Sequence, residues 1–400
     1  MRPAGRAGLW AGLLAGLAPG LVATLAAAMT LIVAPQALAA TPYVDGISDQ
    51  NLTDWNGALW YRGPPASPFA SFLDATLIDS SPTPLRFARY VVAYDLACDP
   101  GGGAYQAFRS WLGDVREIGL SPVVAFWYGN FDGNRCPRLP AIPSSVAEYN
   151  SPIAGVAAFM RAFPGIGTFE AWNEPNDGPG PDLPPARAAD FWLAATADAC
   201  ADRCATVIAG DFSDAQPNLA SYERSYAAAL GRADPPNWGI HPDEAVNDEE
   251  TTTLSDFYAG LPNQAADRVW YTEVAAYYCT PTRNTMDGYS AAQLQQTQEQ
   301  RAHFLVTTLM QYPFTPVHVF YYEFMYRQGR ATPCAVDDSA LFAPGPGSGG
   351  PAFVPRSASQ DVLPNVSPQS FASSAPAGRL VYYPTFTGQI WADPWHATSF

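Results

Sequence analysis

The sequence passes from an apolar strand to a polar turn at TFEAWNEPN, residues 168–176. β-Branched and aromatic residues dominate its first half, and Asn173, Glu174 and Pro175 follow at once. A stretch with helical periodicity, residues 186–201, comes next. A strand that ends in polar residues and is followed by a helix is the repeating unit of an α/β fold.

The same unit recurs along the chain. Strands are predicted over residues 43–47, 85–92, 122–127, 168–172, 205–209, 238–241, 268–272 and 317–322. Helices are predicted over residues 105–118, 145–163, 186–201, 219–232 and 291–312, the last behind Ser290 as N-cap. Eight strands alternating with helices fit a closed barrel better than an open sheet, and no glycine-rich phosphate loop follows the first strand. The predicted fold is a single-domain (β/α)8 TIM barrel of class α/β.

The N-terminal residues 1–39 have the composition of a targeting segment. Two arginines precede an uncharged apolar stretch, and Ala37-Leu38-Ala39 fits the small-x-small rule for cleavage. The apolar stretch is long for a signal peptide, so an uncleaved membrane anchor is the alternative. We therefore expect a secreted or cell-surface protein that touches a membrane only if this segment stays attached.

The remaining chain divides by composition into three parts. The barrel is expected over residues 40–341, a Pro/Gly/Ser-rich loop over 342–376, and a C-terminal segment that packs on the barrel over 377–400. The net charge is −16, and every basic residue is an arginine. An acidic surface repels phosphate backbones, so nucleic acid is not an expected partner, whereas a neutral glycan is not repelled. We expect a monomer.

The chain contains six cysteines: Cys98, Cys136, Cys200, Cys204, Cys279 and Cys334. An even number in an exported chain predicts disulfides, although the sequence alone does not choose among the pairings. In the predicted barrel, Cys98 and Cys136 lie on the loops after strands two and three. Cys279 and Cys334 lie after strands seven and eight, which leaves Cys200 with Cys204. Zinc is the competing interpretation, but paired CxxC spacings are missing.

Polar residues cluster where the predicted strands end. The active site of such a barrel lies at the C-terminal ends of its strands. The candidates at these ends are Arg89, Asn173, Glu174, Asp211, His241, Glu273 and Glu323. Glycoside cleavage needs one protonated carboxyl group for the departing oxygen and one ionised carboxylate for the anomeric carbon. Glu174 and Glu273, on strands four and seven, are expected to face each other across the barrel mouth.

Three motifs resemble glycoside hydrolase clan A, and its family 39 most closely. FEAWNEPN, residues 169–176, resembles the strand-four signature of the clan, and WYTE, residues 270–273, resembles its strand-seven nucleophile signature. WGIHP, residues 238–242, is similar to the strand-six segment, and Arg89 to the arginine that braces the nucleophile. The resemblance covers most of the barrel in order and spacing.

This resemblance implies a retaining glycosidase that acts on a poly- or oligosaccharide. Glu174 would be the acid/base, Glu273 the nucleophile, and Asn173 a ligand of the sugar 2-hydroxyl group. Glu273 would also supply the negative charge that helps a neighbouring acid to keep its proton. No metal and no organic cofactor is expected.

Other candidate site residues have two interpretations each. Trp127, Tyr128 and Tyr278 are candidate sugar platforms, because aromatic faces pack on sugar rings, but they could equally belong to the core. Trp172 is a further candidate substrate-binding residue. Asp211 and Glu323 are candidate sugar ligands or barrel-rim ion pairs. His241 is a site residue or a satisfied histidine at a strand end, and Arg89 has the same structural alternative.

The sequence departs from family 39 in two places. Asp243 follows His241-Pro242 where the family tends to have a tyrosine, so Tyr322 and Tyr278 are the alternative phenol partners for the nucleophile. The strand-eight tryptophan that is common in the clan is also absent. A carbohydrate-binding or cell-wall-associated barrel without turnover, and a transglycosylase with the same residues, therefore remain open, as does the identity of the sugar.

Overall fold

The computed structural model describes residues 44–48, 85–117, 119–129, 136–177, 182–202, 204–279, 289–322, 341–344, 353–356, 358 and 362. The predicted targeting segment, residues 1–39, and the C-terminal segment, residues 377–400, lie outside the described residues. So do Glu323 and Cys334.

Eight parallel strands form a closed barrel in sequence order. They are β1 (Gly46–Ser48), β2 (Phe87–Ala93), β3 (Ser121–Trp127), β4 (Thr168–Glu170), β5 (Thr206–Ser213), β6 (Asn237–His241), β7 (Arg268–Val274) and β8 (His318–Tyr321). Pairing of β1 with β8, at Gly46 and Phe320, closes the ring. The predicted TIM barrel is confirmed, with every strand present near its predicted position.

The strands are buried along nearly their whole length. Both β2 and β3 end in six consecutive buried residues, as expected for parallel strands covered on both faces. A small apolar cluster draws on four different strands; its members are Val123, Ile208, Trp270 and Phe320. The larger core joins the strands to the surrounding helices. This packing fixes the strand ends from which the polar side chains project.

The helices lie between the strands. They are α1 (Gly103–Glu117), α2 (Val146–Tyr149), α3 (Val156–Ala162), α4 (Pro185–Asp202), α5 (Leu219–Leu230), α6 (Asp243–Asp248), α7 (Thr252–Gly260) and α8 (Ala291–Phe304), which continues as a π-helical turn, Leu305–Leu309. None of the helices in these ranges is long and apolar enough to cross a bilayer.

Four of these helices differ from the sequence prediction. The helix predicted over residues 145–163 is split into α2 and α3, because Pro152 lacks the amide hydrogen that a continuous helix needs. Helices α6 and α7 were not predicted, since their six and nine residues are too few to show a clear period. The capping box at the start of α8, between Ser290 and Gln293, confirms the predicted N-cap.

The predicted loop over residues 342–376 has more structure than its composition indicated. Phe342–Pro344 pairs with Phe353–Pro355 as two antiparallel strands. Leu341, Ala358 and Val362 are buried in the main core. Scattered apolar side chains therefore anchor parts of a segment that is otherwise rich in Pro, Gly and Ser.

The cysteines agree only partly with the predicted pairing. Cys98 and Cys136 form a disulfide, as predicted, and Cys279 is also disulfide-bonded. Cys200 and Cys204, however, are free and exposed, so the predicted bridge between them is wrong. Cys204 lies just beyond α4 with a left-handed backbone, φ 50°, and its thiol donates to the carbonyl oxygen of Cys200 at 3.8 Å.

Glu223 is a buried carboxyl group on α5 that lies away from the strand ends. Its side chain packs against Gly260 at the end of α7, and neither carboxyl oxygen has a hydrogen-bond partner among the described residues. Burial raises the pKa of Glu223 to about 9, with Arg224 opposing the shift. The folded protein therefore holds this proton at neutral pH, whereas the unfolded chain releases it.

We expect Glu223→Gln to stabilise the protein increasingly as the pH rises. Between the ordinary pKa of 4.5 and the folded value of about 9, only the unfolded state loses the proton. Wild-type stability should then fall by at most about 1.4 kcal/mol per pH unit, and the amide removes this dependence. Melting temperatures from pH 5 to 8 test it, with the exposed Glu299→Gln as control. A Tm difference between variant and wild type that does not change with pH would contradict it.

Candidate active site

Arg89 is the centre of a hydrogen-bond network at the mouth of the barrel. It projects from β2, its side chain is 0% exposed, and each of its nitrogens donates to an acceptor. The acceptors are Ser48 Oγ (3.1 Å), Glu170 Oε1 and Oε2 (2.7–3.0 Å), Asn173 Oδ1 (2.6 Å), Asp211 Oδ2 (3.1 Å) and Glu273 Oε2 (2.6 Å). Burial opposes the charge, but the carboxylates outweigh it and raise the pKa of Arg89.

Glu273 lies near the end of β7, where pairing with β8 is irregular between Tyr271 and Val274. Arg89 Nη1 donates to its Oε2 at 2.6 Å, and Ser48 Oγ donates to the same oxygen at 3.2 Å. No described residue hydrogen-bonds Oε1, and the side chain is 16% exposed. Donors therefore fix one carboxyl oxygen of Glu273 and not the other.

The pKa of Glu273 is raised above its usual value. Burial is the largest cause, and the negative charges of Glu174 and Asp211 add to it. The positive charges of His241 and Arg89 oppose the shift. Glu174 and Glu273 are thus close enough to influence each other electrostatically, and Glu273 depends on the two cations to stay ionised.

Glu174 follows β4 in a left-handed backbone conformation, φ 46°. Two neighbouring strands hold this turn, since Asn173 N donates to Phe126 O at 2.7 Å and Glu174 N donates to Asp211 O at 2.9 Å. Its side chain is 16% exposed, and Oε1 lies 2.8 Å from His241 Nδ1. Such strained residues concentrate at functional sites, where the surrounding structure holds them in place.

His241 joins Glu174 to Asp211. Its Nδ1 lies 2.8 Å from Glu174 Oε1, and its Nε2 lies 3.0 Å from Asp211 Oδ1. Burial opposes a charged ring, but Asp211 and then Glu174 outweigh it and raise the pKa of His241 well above its usual value. The two carboxyl groups therefore favour the charged ring, in which both nitrogens can donate.

Asp211 is fully buried in this network, so the structure supports its ion-pair interpretation over that of a sugar ligand. It sits at a register shift in β5 with φ 60°, and Thr272 also donates to it. Burial favours the neutral form, yet His241 and Arg89 prevail and lower the pKa of Asp211. The carboxylate holds the imidazolium and the guanidinium in fixed positions.

The cluster contains two cations and four carboxyl groups. They are Arg89, His241, Glu170, Asp211, Glu174 and Glu273. Burial raises the pKa of Glu170 well above its usual value, although Arg89 opposes the shift. The four carboxyl groups outnumber the two cations, so the protonation states of these groups depend on one another.

Asn173 has its amide group oriented by Arg89. Its Oδ1 accepts from Arg89 Nη2 at 2.6 Å, and its Nδ2 lies 3.4 Å from Glu174 Oε2. The amide nitrogen therefore points toward Glu174.

The structure brings six of the predicted site residues together at the mouth of the barrel. They are Arg89, Asn173, Glu174, Asp211, His241 and Glu273.

The predicted aromatic platforms fall into two groups. Trp127 is 1% exposed and Trp172 is 2% exposed, and Trp172 packs against several other core rings, so neither offers an open face to a sugar. Tyr128 is half-buried and contacts both indoles edge-on. Burial, with Asp182 and Asp177, raises the pKa of Tyr128 to about 12. Of these three rings, Tyr128 is the one that keeps part of its surface exposed.

The remaining predicted residues lie at the edge of the cluster or beyond it. The hydroxyl of Tyr278 donates to Ala291 O at 3.4 Å, and Arg356 lies over its ring at 4.1 Å. This geometry argues against Tyr278 as the partner of Glu273. Tyr322 follows β8 and donates its amide hydrogen to Val274 O at 3.0 Å.

Ser48 was missed in the sequence analysis. It ends β1, is 1% exposed, and supplies the hydroxyl group that contacts Glu273. The rule that polar residues at strand ends line the site could have identified it, but β1 has only three residues and little pattern.

Within the part of the chain that the structure describes, no group of His, Cys, Asp or Glu side chains could hold a metal ion.

No protein-family model and no curated protein matches this chain. Several solved structures do. AbfB, a family 51 α-L-arabinofuranosidase from Bifidobacterium longum, has a TM-score of 0.51 and 12% identity over 82% of this chain and 73% of its own. A family 39 glycoside hydrolase from Bacteroides cellulosilyticus WH2 has a TM-score of 0.45 and 17% identity over 83% and 64%.

The catalytic domain of GH30 xylanase C from Talaromyces cellulolyticus has a TM-score of 0.47 and 14% identity over 80% of this chain and 75% of its own. This chain spans less than two thirds of the length of the family 39 enzyme. These families belong to the clan that the sequence motifs resemble. At such low identity, the likeness to AbfB shows a shared barrel fold.

Proposed function

We propose that this protein is a retaining glycoside hydrolase with Glu174 as acid/base and Glu273 as nucleophile. The supporting observation is the pair of partly exposed carboxyl groups after β4 and on β7, each held by a cation of one shared network. The proposed substrate is a poly- or oligosaccharide. In the same proposal, residues 1–39 export the chain and no cofactor takes part.

In the first step, Glu174 protonates the departing glycosidic oxygen while Glu273 Oε1 attacks the anomeric carbon. The bond between that carbon and the leaving oxygen breaks, and a glycosyl ester forms on Glu273. Oε1 suits this role because the donors Arg89 and Ser48 contact Oε2. The imidazolium of His241 stabilises the carboxylate that Glu174 becomes.

In the second step, the Glu174 carboxylate takes a proton from water, and the resulting hydroxide attacks the anomeric carbon. The ester bond breaks, the sugar leaves with retained configuration, and Glu273 is restored as a carboxylate. Arg89 and Ser48 stabilise its returning negative charge. A sugar acceptor in place of water would give transglycosylation with the same residues.

The first activity prediction concerns the two glutamates. We expect Glu273→Gln to abolish turnover of aryl glycosides, because an amide is a poor nucleophile. Glu174→Gln should lower the rate about 10²–10⁴-fold on poor leaving groups and much less on dinitrophenyl glycosides, which need little acid assistance. A panel of α- and β-aryl glycosides gives the measurement, and Glu299→Gln is the matched surface control.

A 2-fluoro glycoside of the preferred sugar should add one sugar mass to the wild type on a peptide that contains Glu273. Full activity in both glutamine variants would contradict the assignment of Glu174 as acid/base and Glu273 as nucleophile. Saturable sugar binding without turnover by the wild type would instead support a binding barrel.

The next prediction concerns Ser48. Ser48→Ala removes one donor to Glu273 Oε2, so the pKa of Glu273 should rise further above its usual value. Glu273 must be ionised to attack, so the acid limb of kcat/KM should move to higher pH. The loss on the acid side should be roughly tenfold, the size of one hydrogen bond to a charged group. Ser225→Ala is the exposed control, and an unmoved acid limb would contradict the role of Ser48.

A further inference from the structure

Side chains of α6 bind the chain just beyond β7. Pairing of β7 with β8 is irregular between Tyr271 and Val274, a span that includes Glu273. Pairing resumes at Val274, and beyond it Asp243 and Asn247, which lie one turn apart on α6, bind the backbone of Ala275 and Tyr277. The chain that follows Glu273 is therefore held in part by contacts outside the sheet.

The contacts form a clamp made by two side chains, which we call the α6 clamp (Asp243 and Asn247). Asp243 Oδ1 accepts from Ala275 N at 2.7 Å, and Asn247 Nδ2 donates to Ala275 O at 2.8 Å. Asn247 Oδ1 accepts from Tyr277 N at 2.9 Å, and the Tyr277 hydroxyl lies 3.4 Å from Asp243 Oδ2. Both polar backbone groups of Ala275 are thus bound.

Asp243 also occupies the sequence position at which a phenol partner of the nucleophile was expected. An ionised Asp243 would be repelled by the neighbouring carboxylates. A protonated Asp243 would be neutral, as the expected phenol is. We propose that Asp243 is a positioning residue for the nucleophile, acting as a neutral carboxyl group that fixes the chain after Glu273. This inference rests on the proposed role of Glu273.

The charges around Asp243 support the neutral form. Glu273 on β7, Asp214 after β5 and Glu174 after β4 are acidic, and His241 on β6 is the cation among them. Burial is the main cause that raises the pKa of Asp243 well above its usual value, followed by Glu273 and Asp214.

Asp214 binds the first turn of α6. It accepts from Glu244 N and Ala245 N, both at 2.8 Å, and these bonds favour its ionised form, although burial raises its pKa to about 7. The Asp243 carboxyl group accepts from a single amide, Ala275 N, so its ionised form has fewer amide donors than that of Asp214 and it keeps its proton more readily.

Two substitutions at Asp243 test the proposal. Asp243→Asn keeps the shape and the acceptor but cannot ionise, and Asp243→Ala removes the clamp. We expect Asp243→Asn to keep kcat within about twofold and to leave the acid limb of kcat/KM where the wild type has it. Asp243→Ala should lower kcat at least tenfold with little change in KM. Asp248→Asn, on the exposed side of the same helix, is the matched control.

Several outcomes would overturn the inference. An acid limb at lower pH in Asp243→Asn would mean that a negative charge had been removed from beside Glu273. A tenfold loss of kcat in Asp243→Asn, or unchanged kcat in Asp243→Ala, would also refute it. Asp243→Asn decides the question even if Asp243→Ala does not fold. An inactive wild type, or an active Glu273→Gln, would refute the glycosidase proposal itself.

Discussion

The buried guanidinium of Arg89 is the interaction on which the rest of the site depends. Withdrawing such an ion from water costs several kcal/mol, and only good hydrogen-bond geometry offsets that cost. Arg89 meets the condition because it reaches acceptors from β1, β4, β5 and β7 at once. The barrel supplies these acceptors because it directs the ends of its strands toward one axis. Loss of Arg89 would leave several buried carboxyl groups without a counter-charge.

The same network explains two unusual backbone positions. Glu174 and Asp211 both have left-handed conformations, which cost a non-glycine residue of the order of 1 kcal/mol. The hydrogen bond from Glu174 N to Asp211 O joins the two turns to each other. His241 then bonds both side chains. His241 and the backbone hydrogen bond keep both residues in these conformations, so the acid/base candidate is fixed before any substrate binds.

The nucleophile candidate is held in a different way. The register of its strand shifts between Tyr271 and Val274, and Glu273 is bound there by Arg89 and Ser48, while the α6 clamp binds the chain beyond Val274. These contacts come from distant parts of the chain. The resemblance to family 39 identified Arg89, but at position 243 it pointed to a tyrosine where this chain has Asp243, and it gave no indication of Ser48.

The sequence by itself determined the eight strands, their order and the candidates at the strand ends, because alternating apolar runs and helical periods are local patterns. It did not distinguish core rings from rings that could contact a sugar. Trp127 and Trp172 both lie at the ends of predicted strands, where substrate-binding residues are expected, yet both are buried. It also could not exclude a bridge between Cys200 and Cys204 or find the hydroxyl of Ser48 beside Glu273. Those features depend on which distant side chains share a place once the ring closes, and only the tertiary structure decides that.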